Sequence, residues 1–192
     1  MIRRLYEWTL GLASHPNALW ALAIVAFLES SFFPIPPDLL MIPMILARPS
    51  RAFLIAGVCL AASVLGGIAG YAIGAFFFDQ IGAPILAALG NANAASEFNT
   101  RFNELGFWPV LVAGLTPFPY KVITIMSGWT GLPFGTFVIT SIVARGLRFF
   151  LVAALLWRFG APIRDFIERR LGLMFTLFVA ILMAGFFLVR FL

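Results

Sequence analysis

Five charged residues stand where apolar helix is expected. Glu29 and Asp38 flank the stretch "SSFFPIPP", and Lys121, Arg145 and Arg148 fall in later apolar runs. A charge at a helix centre in lipid costs roughly 2.5–3.5 kcal/mol, so five facing hydrocarbon would cost on the order of 12–18 kcal/mol. They must therefore face one another or water. Two carboxylates in such a place can carry protons: burial favours the neutral acid and nearby arginine favours the ion. Three bases against two acids leave the group about +1, a balance that favours an anion such as a phosphate headgroup. Arg145 and Arg148 are three residues apart, on one helix face, and can serve one pocket.

The rest of the composition says what surrounds these groups. Of 192 residues, 62% are hydrophobic and only 11% charged, against about 45–50% and 25% in soluble domains. The solvent for most of the chain is lipid, and a single membrane domain over 1–192 is expected. The net charge of +5 comes from thirteen Lys and Arg against eight acids. In a membrane protein that excess reads as topology and contact with anionic lipid, with no nucleic-acid partner. The lone Cys59 excludes an intrachain disulfide, and the lone His15 gives no clustered metal site; no cofactor is expected. The N-terminus has no small-residue cleavage pattern, so it is read as retained.

The elements follow from apolar run length, since a crossing needs about 20 residues. Residues 1–16 predict a short interfacial helix and 17–47 a re-entrant hairpin broken at Pro34, Pro36 and Pro37. Residues 52–78 predict a full crossing and 79–106 a polar extracytoplasmic linker helix. A second re-entrant hairpin follows at 107–131, broken at Pro117 and Pro119, then a crossing at 133–159, an interfacial helix at 160–172 and a last crossing at 173–190. The fold class is thus all-α and integral to the membrane, with about three full transmembrane helices. Gly66, Gly70 and Gly74 form an i, i+4, i+8 stripe that lets another helix approach closely. That stripe suits a homodimer as well as an internal contact, and Gly128 is the matching small residue after the second hairpin. With the N-terminus cytoplasmic, eight arginines fall inside and two, Arg101 and Arg190, outside, as the positive-inside rule requires.

The two broken stretches form a pair. "PIPPD" (34–38) and "PFPYK" (117–121) both read Pro-x-Pro-x-charge, and both precede a short apolar half-helix. Proline stops one half-helix and starts the next. The restarted half-helix points its partly positive N-terminus into the membrane, and broken backbone survives at that depth only where it lines protein or a wet cavity. Entering from opposite sides, the hairpins form an inverted repeat with a site near the midplane.

At these residues the chain resembles the DedA family of membrane proteins, also called the VTT or SNARE-associated family, over roughly 17–160. The carriers are Glu29 with the proline turn and Asp38, the stretch "GGIAGYAIG" (66–74), and "GLTPFPYKVITIMSGWTGLPFGTF" (114–137). The last departs from the family pattern: Gly114 and Tyr120-Lys121 stand near the positions of two loop arginines. We read Arg145 as supplying the missing positive charge. The resemblance implies a bacterial inner-membrane transporter that flips lipid carriers such as undecaprenyl phosphate, or scrambles phospholipid, in dependence on the proton gradient. It matches Glu29 and Asp38 to the family's acidic residues.

The chain is accordingly expected to move an anionic lipid headgroup as substrate. Protons serve as the coupling ion at Glu29 and Asp38, and Lys121, Arg145 and Arg148 hold the anion. Two alternatives remain at this point: a small-ion antiporter exchanging H⁺ for Na⁺ or K⁺, and a non-transporting membrane scaffold. An enzyme is not expected, since there is no Ser-His-Asp set and no carboxylate cluster for metal.

Overall fold

The computed structural model describes residues 17–32, 36–88, 92–116, 118–160 and 162. The expected interfacial segments at 1–16 and 160–172 fall almost wholly outside these residues, and the expected crossing at 173–190 falls wholly outside them. Pro34 and Pro117 do too.

Among the described residues the chain is all helix. The order is α1 (Ala18–Ser31), α2 (Asp38–Ala47), a 3₁₀ turn (Pro49–Arg51), α3 (Ala52–Ala88), α4 (Ala92–Leu105), α5 (Trp108–Leu115), α6 (Tyr120–Trp129) and α7 (Phe134–Gly160). Two stretches, Pro49–Phe77 and Phe134–Gly160, are long and apolar enough to cross a membrane. At 1.5 Å per residue the shorter of them spans about 40 Å.

Helix starts and stops follow from local chemistry. Pro37 (φ −65°) precedes α2 and Pro119 (φ −60°) precedes α6, so a proline caps the start of each of these two helices. Neither needs the amide hydrogen that a helix N-terminus leaves unused. Asp38 opens α2, where a negative charge meets the partly positive helix end. Pro43 lies inside α2 and withdraws one rung of the hydrogen-bond ladder there. Gly106 (φ +59°) closes α4 and Gly131 (φ +71°) makes the turn into α7, backbone conformations that glycine adopts without strain.

One element runs further than the sequence predicts. The expected crossing ends at Phe78, yet α3 continues to Ala88. Asp79 and Gln80 are followed again by small and apolar residues, and two polar side chains do not stop a helix in which each further residue adds a hydrogen bond. The separate helix in the expected linker begins only at Ala92.

Two apolar clusters organise the packing. Leu22, Met41, Ile45, Ile55, Cys59 and Phe149 bring α1, α2, α3 and α7 together in one, and Phe102, Val110, Tyr120, Ile123 and Phe137 join α4 to α7 in the other. α3 packs against α1, α6 and α7. Midway along α3 the Tyr71 hydroxyl donates to the carbonyl of Leu132 at 2.6 Å, closing the turn between α6 and α7. Tyr71→Phe leaves that carbonyl without its donor and is expected to cost about 1–3 kcal/mol, read as a lowered unfolding midpoint in detergent with the helical signal unchanged.

Candidate functional site

The charged side chains meet through α7. Arg145 is only 1% exposed, and its Nη2 donates to Glu29 Oε2 at 2.7 Å. Its Nε donates to Ser63 Oγ at 2.7 Å, and Ser63 Oγ lies 2.7 Å from Ser30 Oγ. The guanidinium also sits over the rings of Tyr120 and Phe149, 4.8 and 4.6 Å from their centroids. Tyr120 is fixed in turn, its hydroxyl donating to Ser141 Oγ, which donates to the carbonyl of Phe137. Arg145 thus joins α1, α3 and α6 to α7. Releasing it forfeits two charge-assisted hydrogen bonds of about 1.5–3 kcal/mol each and two cation–π contacts of about 0.5–2 kcal/mol each.

Arg148, one turn further along, is held differently. Its Nη2 donates to Asp38 Oδ2 at 2.5 Å, and each of the two side chains is 20% exposed. Its Nη1 donates to the carbonyl of Thr116 at 3.1 Å. The two arginines read from the sequence as one pair therefore engage different carboxylates: Arg145 takes Glu29, at the end of α1, and Arg148 takes Asp38, at the start of α2. Lys121 reaches the carbonyl of Phe32 at 3.4 Å, a long contact, and has no carboxylate partner among the described residues.

The two carbonyls are equivalent places. Phe32 is the C-cap of α1 and Thr116 the C-cap of α5. The ends of α1 and α5 thus each meet a cation, which suits a partly negative terminus and supplies donors for carbonyls that have no helical partner. Both cations lie on other helices: Lys121 belongs to α6 and Arg148 to α7. The last turn of α1 gains further partners, since Thr124 Oγ1 is 3.0 Å from the carbonyl of Ser30, and Ser31 Oγ is 3.0 Å from that of Gly66.

Glycines make these approaches possible. A Cβ on Gly66 would fall 2.2 Å from the carbonyl oxygen of Phe27 on α1, and one on Gly70 would fall 2.3 Å from Thr124 Oγ1 on α6. The contact between α3 and α6 is reciprocal: a Cβ on Gly74 would meet Ile125 O, and one on Gly128 would meet Tyr71 O, both at 1.9 Å. Only backbone against backbone fits there.

Several polar members of the site were not singled out in the sequence: Ser30, Ser63, Thr116, Thr124 and Ser141. One of them carried a readable signal. Ser63 precedes Gly66, Gly67, Gly70 and Gly74 at helical spacing, so the small-residue face of α3 begins with a hydroxyl. The others look like ordinary members of apolar helices.

The VTT domain model matches residues 35–158, well over half of the chain. The chain belongs to the VTT domain family. A protein from Haemophilus influenzae, described only as uncharacterized, is 40% identical over 168 residues, covering 85% of this chain and 87% of its own. An uncharacterized relative from Histophilus somni is 39% identical over the same shares. No solved structure matches. The VTT match takes in Asp38, Ser63, Lys121, Arg145 and Arg148 and begins after Glu29. Membership in the VTT family and two long apolar helices make this a membrane protein. VTT proteins are regarded as membrane transporters rather than enzymes.

Proposed function

We propose that the protein is a proton-coupled transporter that moves an anionic lipid headgroup, a polyprenyl phosphate or phospholipid, across the bacterial inner membrane. The observation that carries this reading is the pair of arginine–carboxylate contacts flanking the α1–α2 break, one of whose arginines, Arg148, also reaches the end of α5. A carboxylate facing an arginine can be exchanged for another anion with no change in what the arginine requires. Protonation of Glu29 or Asp38 removes its claim on the guanidinium, and a phosphate takes its place. Lys121 adds a cation without a carboxylate partner among the described residues, so the group as a whole favours an anion. The small-ion antiporter is less favoured, because both carboxylates that would bind Na⁺ or K⁺ already face arginine.

In this reading α1–α2 and α5–α6 are re-entrant hairpins of an inverted repeat, entering from opposite sides with the site between them. The N-terminus lies in the cytoplasm, and the glycine stripe serves packing within one chain. The test is flipping of a fluorescent polyprenyl-phosphate analogue in proteoliposomes, with and without an imposed pH gradient. The native protein is expected to flip the lipid faster under the gradient. Glu29→Gln and Lys121→Ala, recovered folded, are expected to lower the rate by about tenfold or more, the equivalent of about 1.4 kcal/mol. Native protein that flips no lipid but dissipates a pH gradient when Na⁺ or K⁺ is added points to the antiporter instead.

A further inference from the structure

We infer that the two arginines of α7 divide the work: Arg148 is the one that leaves its carboxylate to grip the phosphate, and Arg145 is a positioning residue that never contacts the ligand. This rests on the anionic-lipid reading above.

The surroundings of the two side chains differ in kind. Arg145 is 1% exposed, its Nε and Nη2 are engaged by Ser63 and Glu29, and its guanidinium lies over two aromatic rings. Each support is held by something else: Ser63 by Ser30, Tyr120 by Ser141. If Glu29 lost its charge, the serine and both rings would still hold the arginine in place. Arg148 is 20% exposed and opposite an equally exposed Asp38. Its other described partner is a backbone carbonyl, that of Thr116, and no ring is stacked on it among the described residues. Loss of the Asp38 charge leaves Arg148 with one described hydrogen bond, to the carbonyl of Thr116.

Geometry adds a second reason. Arg148 touches the first residue of α2 and the last turn of α5 at once, the two places where helix is broken. A ligand that takes Arg148 from Asp38 acts on both breaks together. Arg145 reaches only one side of one break, the last turn of α1 through Glu29, and its other contacts lie with Ser63, Tyr120 and Phe149 in the packed helices. The planar fork of arginine matches a phosphate with two parallel hydrogen bonds, which lysine cannot reproduce. That difference makes the assignment measurable.

Full-length protein in proteoliposomes is assayed for the concentration dependence of flipping with the polyprenyl-phosphate analogue. Arg148→Lys is expected to raise KM by about tenfold with kcat within about twofold, since charge is kept and the fork is lost. Arg145→Lys is expected to leave KM within about twofold and lower kcat, because Glu29 is held less well while the phosphate contact is untouched. A raised KM in Arg145→Lys with none in Arg148→Lys overturns the division.

A second readout needs no transport. Arginine modification by phenylglyoxal, located by mass spectrometry, is expected at Arg148 and not at Arg145, and to fall several-fold when the lipid analogue is present. Glycerol phosphate at matched concentration separates the sources of the phosphate. Protection by both compounds assigns the contact to the phosphate alone, and protection by the lipid only adds a requirement for its chain; each supports Arg148 as the grip. A native protein that flips the lipid while Arg148 is labelled equally with and without either compound overturns the assignment but leaves the flippase reading standing. A native protein that flips no lipid overturns both.

Discussion

Replacing Arg145 with methionine is expected to destabilise the protein by about 3–5 kcal/mol, the loss seen when one partner of a buried ion pair is removed and the other is left. Methionine approximates the apolar length of the side chain, so the change isolates the charge. It leaves Glu29, whose side chain is 12% exposed, without its cation and with Ser30 as its described donor, and it removes from Ser63 the guanidinium it accepts from. The double variant Glu29→Gln, Arg145→Met is expected to recover much of the loss, because a neutral amide can remain beside Ser30 without a cation. The measurement is a double-mutant cycle on unfolding in lipid nanodiscs, with a coupling of about 1–3 kcal/mol expected between the two sites. Additive losses, or a single-variant cost under about 1 kcal/mol, would mean that the pair is not what secures α1 to α7.

The second large effect belongs to the reciprocal glycines. Gly128→Ala and Gly74→Ala each place a Cβ 1.9 Å from a backbone carbonyl oxygen of the facing helix. Backbone cannot rotate away as a side chain can, so α3 and α6 must separate. A cost of about 1–3 kcal/mol or more is expected, together with loss of the Thr124–Ser30 contact that depends on the same approach. Gly57→Ala is the control. It also lies in α3, but a Cβ there meets nothing within 4 Å, and alanine gains up to about 1 kcal/mol of helix propensity. Unfolding midpoints of the three variants should therefore move in opposite directions. Equal behaviour of Gly57→Ala and Gly74→Ala would show that the interface between α3 and α6 is not as tight as the geometry requires.

The sequence makes some of this visible and hides the rest for physical reasons. A chain so apolar, with so few charges, announces helices in lipid, because no other open structure satisfies its backbone there. Proline chemistry explains why helix stops at Ser31 and resumes at Asp38, and why α6 begins directly after Pro119. Family resemblance was carried by short motifs around those same residues. The partnerships were not visible. Glu29 has three bases to choose from, and its choice of Arg145 depends on how α7 lies against α1, which only the packing of α3 between them decides. Serine and threonine hide for a different reason. In an apolar helix they satisfy themselves on a nearby carbonyl, as Ser31 does on Phe27 at 2.6 Å, so their presence in a sequence says little about which will reach across. The helix α3 runs on past its apolar stretch to Ala88, because a pair of polar residues is a boundary to hydropathy but not to a helix.

The distance along the chain between partners has a consequence for biosynthesis. Glu29 precedes Arg145 by 116 residues and Asp38 precedes Arg148 by 110. At about 5–20 residues per second, both acids leave the ribosome roughly 6–23 s before the cations that neutralise them. The C-cap carbonyl of α1 waits for Lys121, 89 residues later. Throughout that interval the carboxylates of α1 and α2 lack the cations that they meet among the described residues, and hydrocarbon offers none. These two helices must linger at the wet surface of the membrane and sink to their final depth only when α6 and α7 arrive. Insertion of this protein is therefore a late, concerted event governed by its C-terminal half, and the first half cannot be assembled helix by helix in the order it is made.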